Sequence, residues 1–138
     1  MKTFKIAEAE VADLLNIAYS SKVLKEAATN FNTNYPSGCY GQLNSKPDDR
    51  PSFLKISHKF SNLQFMDNSL YADVEILNQN QAIAYKAKEL KELIEKDLIM
   101  FSISGIIKTY EKLITSTDQT VYYVNSGLKI ESINANIK

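Results

Sequence analysis

The segment 53–77, FLKISHKFSNLQFMDNSLYADVEIL, decides the fold of this chain. It contains two runs rich in β-branched, aromatic and other apolar residues, 53–65 and 70–77, which are separated by the sequence Met66-Asp67-Asn68-Ser69. Asp, Asn and Ser favour turns because their side chains hydrogen-bond to the local backbone. In the second run Leu, Ala, Val and Ile occupy every other position, which is the period of a strand with one buried face. The segment therefore predicts two strands joined by a turn.

Helical patterns lie on both sides of this pair of strands. After Ser20 and Ser21, either of which can cap a helix, five apolar residues have the spacing of one helical stripe. They are Val23, Leu24, Ala27, Ala28 and Phe31. The segment 78–97 is the clearest helix, because Ile83, Ala87, Leu90 and Ile94 share a face and Lys and Glu side chains are spaced for i,i+4 pairing.

The remaining apolar segments predict strands. They are 4–12, 98–110, 121–124 and 128–137. The first has a rival helical interpretation, since Val11, Leu14, Leu15 and Ala18 also have helical spacing. About six strands in hairpin-like succession with two helices predict one α+β domain over 1–138, with a largely antiparallel, barrel-like sheet.

Composition excludes several classes of partner and site. The 138 residues fit one domain, and 44% hydrophobic content is enough to bury a core. Sixteen basic and sixteen acidic residues cancel, so we expect no nucleic acid and no anionic membrane as partner. No run approaches the roughly 18 apolar residues of a membrane span, and no signal peptide is apparent, so we expect a cytoplasmic protein. The single cysteine excludes an internal disulfide and a cysteine-based zinc site, and we expect no metal or other cofactor.

The least regular stretch, 34–52, contains three prolines and two glycines. Long segments of this kind are often functional, so we expect it to form a contact surface. The interface candidates within it are Asn34, Tyr35, Tyr40, Gln42, Asp48 and Arg50. Exposed strand edges, which can pair with a neighbouring chain, are a second candidate surface.

Conventional catalytic motifs are absent from the sequence. His58 is the only histidine, so a histidine-dependent mechanism must use it. On a predicted strand, however, a lone histidine is more often structural than catalytic. A serine on a buried strand, such as Ser102 or Ser104, is likewise more often a satisfied polar residue.

Several short strings, in a fixed order, resemble one family. They are Ala18-Tyr19-Ser20-Ser21-Lys22-Val23-Leu24-Lys25-Glu26-Ala27, Gly41-Gln42-Leu43-Asn44-Ser45-Lys46-Pro47, Ile56-Ser57-His58-Lys59-Phe60 with the following 67–77, Phe101-Ser102-Ile103-Ser104-Gly105, and Val124-Asn125-Ser126-Gly127-Leu128-Lys129-Ile130. The chain resembles the prohead core serine proteases of tailed phages, whose fold is similar to the herpesvirus assemblins. These proteases cut scaffold and capsid proteins during head maturation.

The resemblance assigns positions to the catalytic residues. Ser104 aligns with the nucleophile, although the Ser-Arg-Gly context of the family is missing. Ser45 occupies the position of the catalytic histidine. A serine has no group that titrates near neutrality and cannot take a proton from another hydroxyl as imidazole does.

The resemblance therefore predicts a phage virion-assembly protein that has lost proteolysis. It implies capsid or scaffold proteins as partners, with self-association left open, and a place in the host cytoplasm during assembly or in the virion capsid. Two alternatives stay open. One is an active serine endopeptidase that uses Ser104 as nucleophile and His58 as base, and the other is an unrelated α+β protein-binding domain.

Overall fold

The structure is a computed structural model that describes residues 1–46, 49–78 and 84–138. Over these ranges the chain forms nine strands, two α-helices and one turn of 3₁₀ helix. In chain order they are β1 (Lys2–Glu8), β2 (Ile17–Tyr19), α1 (Ser21–Asn34), β3 (Cys39–Asn44), the 3₁₀ turn (Phe53–Lys55), β4 (Ile56–Met66), β5 (Ser69–Ile76), α2 (Ala87–Glu95), β6 (Ile99–Ile107), β7 (Glu111–Ile114), β8 (Thr120–Val124) and β9 (Leu128–Ile137).

The predicted strand pair is confirmed as the antiparallel hairpin of β4 and β5. Its turn is made by Asp67 and Asn68, both with positive φ (50° and 62°). Asn and Asp reach this left-handed conformation more readily than other non-glycine residues. A register shift between Ser61 and Gln64 interrupts the hairpin.

Six strands form one curled sheet in the order β1-β5-β4-β3-β9-β6. Curling brings the two edge strands towards each other, and the rings of Phe4 on β1 and Phe101 on β6 lie 4.8 Å apart. A second sheet contains three strands in the order β2-β8-β7. The predicted α+β class with a barrel-like sheet is confirmed.

Two details of the predicted sheet are corrected. The pairing is largely antiparallel, as predicted, but the sheets are mixed, because β3 pairs with β9 and β2 pairs with β8 in parallel. The described residues form nine strands instead of about six, since β2, β3 and β7 were not predicted. β2 and β7 contain only three and four residues. β3 lies inside the predicted irregular stretch 34–52, whose prolines and glycines favour turns and loops.

Both predicted helices are present, but the second is shorter than predicted. The Ser20 hydroxyl caps α1 by accepting a hydrogen bond from the backbone N–H of Val23 at 3.1 Å, and the whole predicted stripe is buried. The second helix is shorter than the predicted 78–97. Its regular part is Ala87–Glu95, while residues 79–83, including Ile83, lie outside the described residues.

The main core lies between α1 and the large sheet. Helix α1 packs on β4 and β9, and the ring of Phe31 stacks on that of Phe60 at 5.2 Å. Phe101, Ile103 and Ile133 belong to the same buried cluster. The core therefore takes one face of strands β4, β9 and β6 and leaves their other face for polar side chains.

Candidate functional site

Polar side chains occupy the face of β3, β9 and β6 that points away from the core. Side chains alternate between the faces of a strand, so Ser102 and Ser104 lie opposite in direction to the buried Phe101 and Ile103. The pairing of β6 with β9 places Ser104 beside Ser132 and Ser102 beside Asn134. We call this face of the three strands the polar layer.

A chain of side-chain hydrogen bonds runs through the polar layer across all three strands. The Gln42 amide donates to the Asn44 side-chain oxygen at 2.6 Å. The Asn44 amide donates to the side-chain oxygen of Asn136 at 3.1 Å. The Asn136 amide in turn donates to the Ser102 hydroxyl at 2.7 Å. These four residues form the amide ladder.

Burial makes the amide ladder a structural unit. Gln42 is 6% exposed, and Asn44 and Asn136 are 1% exposed. A buried amide without a partner costs about 1–3 kcal/mol, so the members stabilise one another mainly by satisfying groups that water cannot reach. Among the described residues every buried side-chain nitrogen and oxygen has a partner.

Gln42 also fixes the segment 49–53 over the polar layer. Its amide nitrogen donates to the carbonyl of Arg50 at 3.1 Å, and its oxygen accepts from the backbone N–H of Ser52 at 2.9 Å. One glutamine side chain thus holds the chain that covers the amide ladder.

Ser45 follows β3 directly and is bound to Asp49. The Asp49 carboxylate accepts from the Ser45 backbone N–H at 2.8 Å and from the Ser45 hydroxyl at 3.0 Å. Lys46 N–H adds a bond at 3.2 Å, and the Lys55 ammonium lies 3.3 Å away. Hydrogen bonds from the backbone at Lys46 and Ser45, with those from the Ser45 hydroxyl and Lys55, lower the pKa of Asp49 to about 2. Ser45 therefore donates both its backbone N–H and its hydroxyl to a carboxylate four residues along the chain.

His58 is completely buried, with 0% of its surface exposed. Its Nε2 lies 2.8 Å from the carbonyl oxygen of Ile133, which can only accept, so Nε2 carries the proton. Nδ1 then accepts from the Ser57 hydroxyl at 2.9 Å. Burial lowers the pKa of His58 to about 4, against a smaller opposing effect of the Ile133 hydrogen bond. Both ring nitrogens therefore already form hydrogen bonds within the fold.

The imidazole of His58 and the hydroxyl of Ser104 are not brought together. The His58 ring meets the Phe101 ring edge-on, with centroids 5.5 Å apart, on the core face of β6. Ser104 is exposed on the other face, three residues along the same strand. The sheet itself separates the two groups.

An open groove of about 380 Å³ lies over the uncovered part of the polar layer. We call it the Ser104 groove. Its lining residues come from β3, β9, β6 and the 3₁₀ turn with its flanks: Tyr40, Gly41, Gln42, Pro51, Ser52, Phe53, Ile56, Ser104, Glu131, Ser132 and Asn134.

The interface candidates from the sequence have different environments. Asn34, Tyr35, Tyr40 and Arg50 are exposed, whereas Gln42 is buried in the amide ladder. Asp48 lies outside the described residues. Sequence reasoning missed Asn44, Asn134 and Asn136. The alternation of Ser132, Asn134 and Asn136 with apolar residues on β9 was the one available signal.

In the described parts of the chain, no group of three or more His, Cys, Asp or Glu side chains could hold a metal ion. No helix there is long and apolar enough to cross a membrane.

Comparison with known proteins gives a fold but no family. No protein-family model matches the chain, and no curated protein matches it. Among solved structures, the chain is similar to the bacteriophage T4 capsid assembly protease gp21, with a TM-score of 0.67 and 15% sequence identity. The match covers 99% of this chain and 80% of that one. The chain therefore has the fold of a phage capsid assembly protease.

Proposed function

We propose that this protein is a phage virion-assembly protein that binds capsid or scaffold proteins as an auxiliary subunit and does not cut them. The fold shared with the T4 capsid assembly protease supports the assembly role. The loss of proteolysis rests on the state of the single histidine.

The proposal rests on the environment of the His58 ring. A general base must come within about 2.6–3.2 Å of the proton that it takes. His58 uses both nitrogens for the Ser57 hydroxyl and the Ile133 carbonyl, and it lies on the core face of the sheet. With a pKa of about 4 it is also a poor proton acceptor at neutral pH.

The surroundings of Ser45 and Ser102 support the same proposal. The Ser45 hydroxyl is used by Asp49, and the Ser102 hydroxyl accepts from Asn136 in the amide ladder. Neither arrangement includes a group that titrates near neutral pH. Ser104 is exposed, and among the described residues no base is hydrogen-bonded to its hydroxyl.

The test is incubation of the purified protein with the scaffold and major capsid proteins encoded by the same phage. We expect co-sedimentation with heads and no cleavage products. An active phage prohead protease serves as the positive control for cleavage. Labelling with a fluorophosphonate, which reacts with activated serines, should give no signal above that of Ser104→Ala.

The active-endopeptidase alternative makes the opposite prediction. Cleavage or labelling that is lost in both Ser104→Ala and His58→Gln would overturn the proposal, provided that circular dichroism shows both variants folded. Failure of the wild-type protein to co-sediment with heads would contradict the assembly role and favour an unrelated binding domain.

A further inference from the structure

One row of the polar layer stays open to solvent. The Gln42 side chain is held against the segment 49–53 by its hydrogen bonds to Arg50 and Ser52. Tyr40 and Ser104 are exposed, and with Ser132 they line the Ser104 groove. Neighbouring strands lie about 4.8 Å apart, so the open row spans roughly 10 Å from Tyr40 to Ser104. Three residues of extended chain have about this length, at roughly 3.3 Å each.

Glu131 provides the charge of this groove. It is the residue left unpaired where the register of β6 against β9 shifts, between the pairs of Ile130 and Ser132. Of the lining residues that the structure describes, it alone is charged. Across residues 1–46, 49–78 and 84–138, no cation lies within 4.0 Å of its carboxylate, and Lys129 lines a different cavity beside α1.

Two aromatic side chains also line the Ser104 groove. Tyr40 is 49% exposed and Phe53 is 65% exposed, a large exposure for side chains of this type. The Phe53 ring is supported edge-on by the Tyr85 ring at 6.1 Å. A carboxylate and aromatic faces in one groove are the two features that attract a lysine or arginine side chain, through ion pairing and cation–π contact.

We propose that the Ser104 groove binds an extended segment of about three residues in a capsid or scaffold protein, with a lysine or arginine at its centre. This inference rests on the proposed function for the origin of the segment. The basic side chain lies between Glu131 and the rings of Tyr40 and Phe53. The Ser104 hydroxyl faces the backbone of the bound segment and hydrogen-bonds to it. The Ser132 hydroxyl donates to the Asn134 side-chain oxygen at 2.7 Å, so toward the segment it accepts from a backbone N–H.

The probe is the acetylated, amidated heptapeptide Ala-Val-Ala-Arg-Ala-Val-Ala, titrated into ¹⁵N-labelled full chain to about 5 mM, where weak binding is measurable by NMR. We expect saturable shifts of the backbone amides of Tyr40, Ser104, Glu131 and Ser132. The same peptide with citrulline, a neutral isostere, in place of arginine should give no saturable shifts there.

Glu131→Gln should weaken peptide binding roughly fivefold, the size of one exposed ion pair, because it leaves the cation–π contact with Tyr40 and Phe53 in place. Glu111→Gln removes the same charge from the exposed β7 strand and should leave the affinity unchanged. Equal shifts with the citrulline peptide, shifts centred on another surface, or no saturation with arginine would each overturn the inference.

Co-sedimentation with heads separates this inference from the function on which it rests. Loss of binding in Glu131→Lys, with binding retained in Glu111→Lys, supports the groove as the contact. If both variants co-sediment like the wild type, the assembly role stands and the groove inference falls. If the wild type itself does not co-sediment, the assembly role is contradicted. The assignment of the bound segment to a capsid or scaffold protein is then contradicted as well.

Discussion

The imidazole of His58 and the hydroxyl of Ser104 lie on opposite faces of the six-stranded sheet. The ring packs against Phe101 in the core, while the hydroxyl opens into the Ser104 groove. A proton passing between them would cross a sheet whose backbone groups are already paired between β6 and β9. The two candidate catalytic groups therefore do not meet.

The titration of His58 is a direct test of its environment. We predict a midpoint near pH 4, because burial disfavours the charged imidazole. The chain contains one histidine, so a single imidazole signal in the proton NMR spectrum reports it without assignment. A midpoint between 6 and 7 would show an accessible ring and contradict the structure.

The same shift makes folding stability depend on pH. The unfolded chain binds a proton at His58 near pH 6.5 and the folded chain only near 4, so stability present above pH 6.5 is lost as the pH falls. We expect the free energy of unfolding in urea to drop by about 2 kcal/mol between pH 6.5 and 4.5. In His58→Gln the slope over this window should be nearly flat.

The amide ladder is predicted to be a cooperative unit. Asn136→Ala removes the partner of the Asn44 amide and leaves buried polar groups unsatisfied, so it should lower the free energy of unfolding by about 2–4 kcal/mol. Asn30→Ala, on the exposed face of α1, should change it by less than about 0.5 kcal/mol.

A double-mutant cycle checks the coupling within the ladder. The combined Asn44→Ala and Asn136→Ala substitutions should cost less than the sum of the two single changes, by about 1–2 kcal/mol. Strict additivity would mean that the two side chains do not depend on each other.

Asp49 is predicted to order the loop that begins at Ser45. Asp49→Ala removes the acceptor of the Ser45 and Lys46 backbone N–H groups, so hydrogen exchange at both amides should become faster. Ser45→Ala removes only the hydroxyl bond and should have a smaller effect. Glu26→Ala, which removes a charge from the surface of α1, should leave the two amides unchanged.

Gly41 is predicted to tolerate no side chain. A Cβ at this position would overlap both His58 Nε2 and the carbonyl oxygen of Ile133, the two atoms that share a hydrogen bond. Gly41→Ala should therefore cost about 3 kcal/mol or more in unfolding free energy. Ser37→Ala, an exposed position in the connection before β3, is the matched control. A stability close to wild type in Gly41→Ala would place His58 elsewhere.

Part of this fold was accessible from local sequence patterns. The β4–β5 hairpin and the buried stripe of α1 depend on neighbouring residues, on their period and on turn or cap chemistry, and both were predicted. β3 was hidden because it is short and because Gly41, in its middle, has no side chain to mark the inward face. Its parallel pairing with β9 joins segments that are far apart in the chain, so no local sequence pattern indicates it.

The candidate site was less accessible for the same reason. Asn44 and Asn136 are 92 residues apart, and each alone looks like an ordinary polar residue on a strand. The sequence marked Ser45, His58 and Ser104 through the resemblance to a protease. It could not show that His58 faces the core or that Ser45 is bound by Asp49.

The position of β9 has a consequence for how the chain reaches its native state. This strand is the last of those described, yet it lies between β3 and β6 in the sheet. Until residues 128–137 have left the ribosome, β6 has no hydrogen-bonding partner, and Asn44 has nothing to donate to. A pairing of such long range closes late and slowly. The β1-β5-β4-β3 part of the sheet can therefore pair before residues 128–137 have been synthesised, whereas β6 can join the sheet only after them.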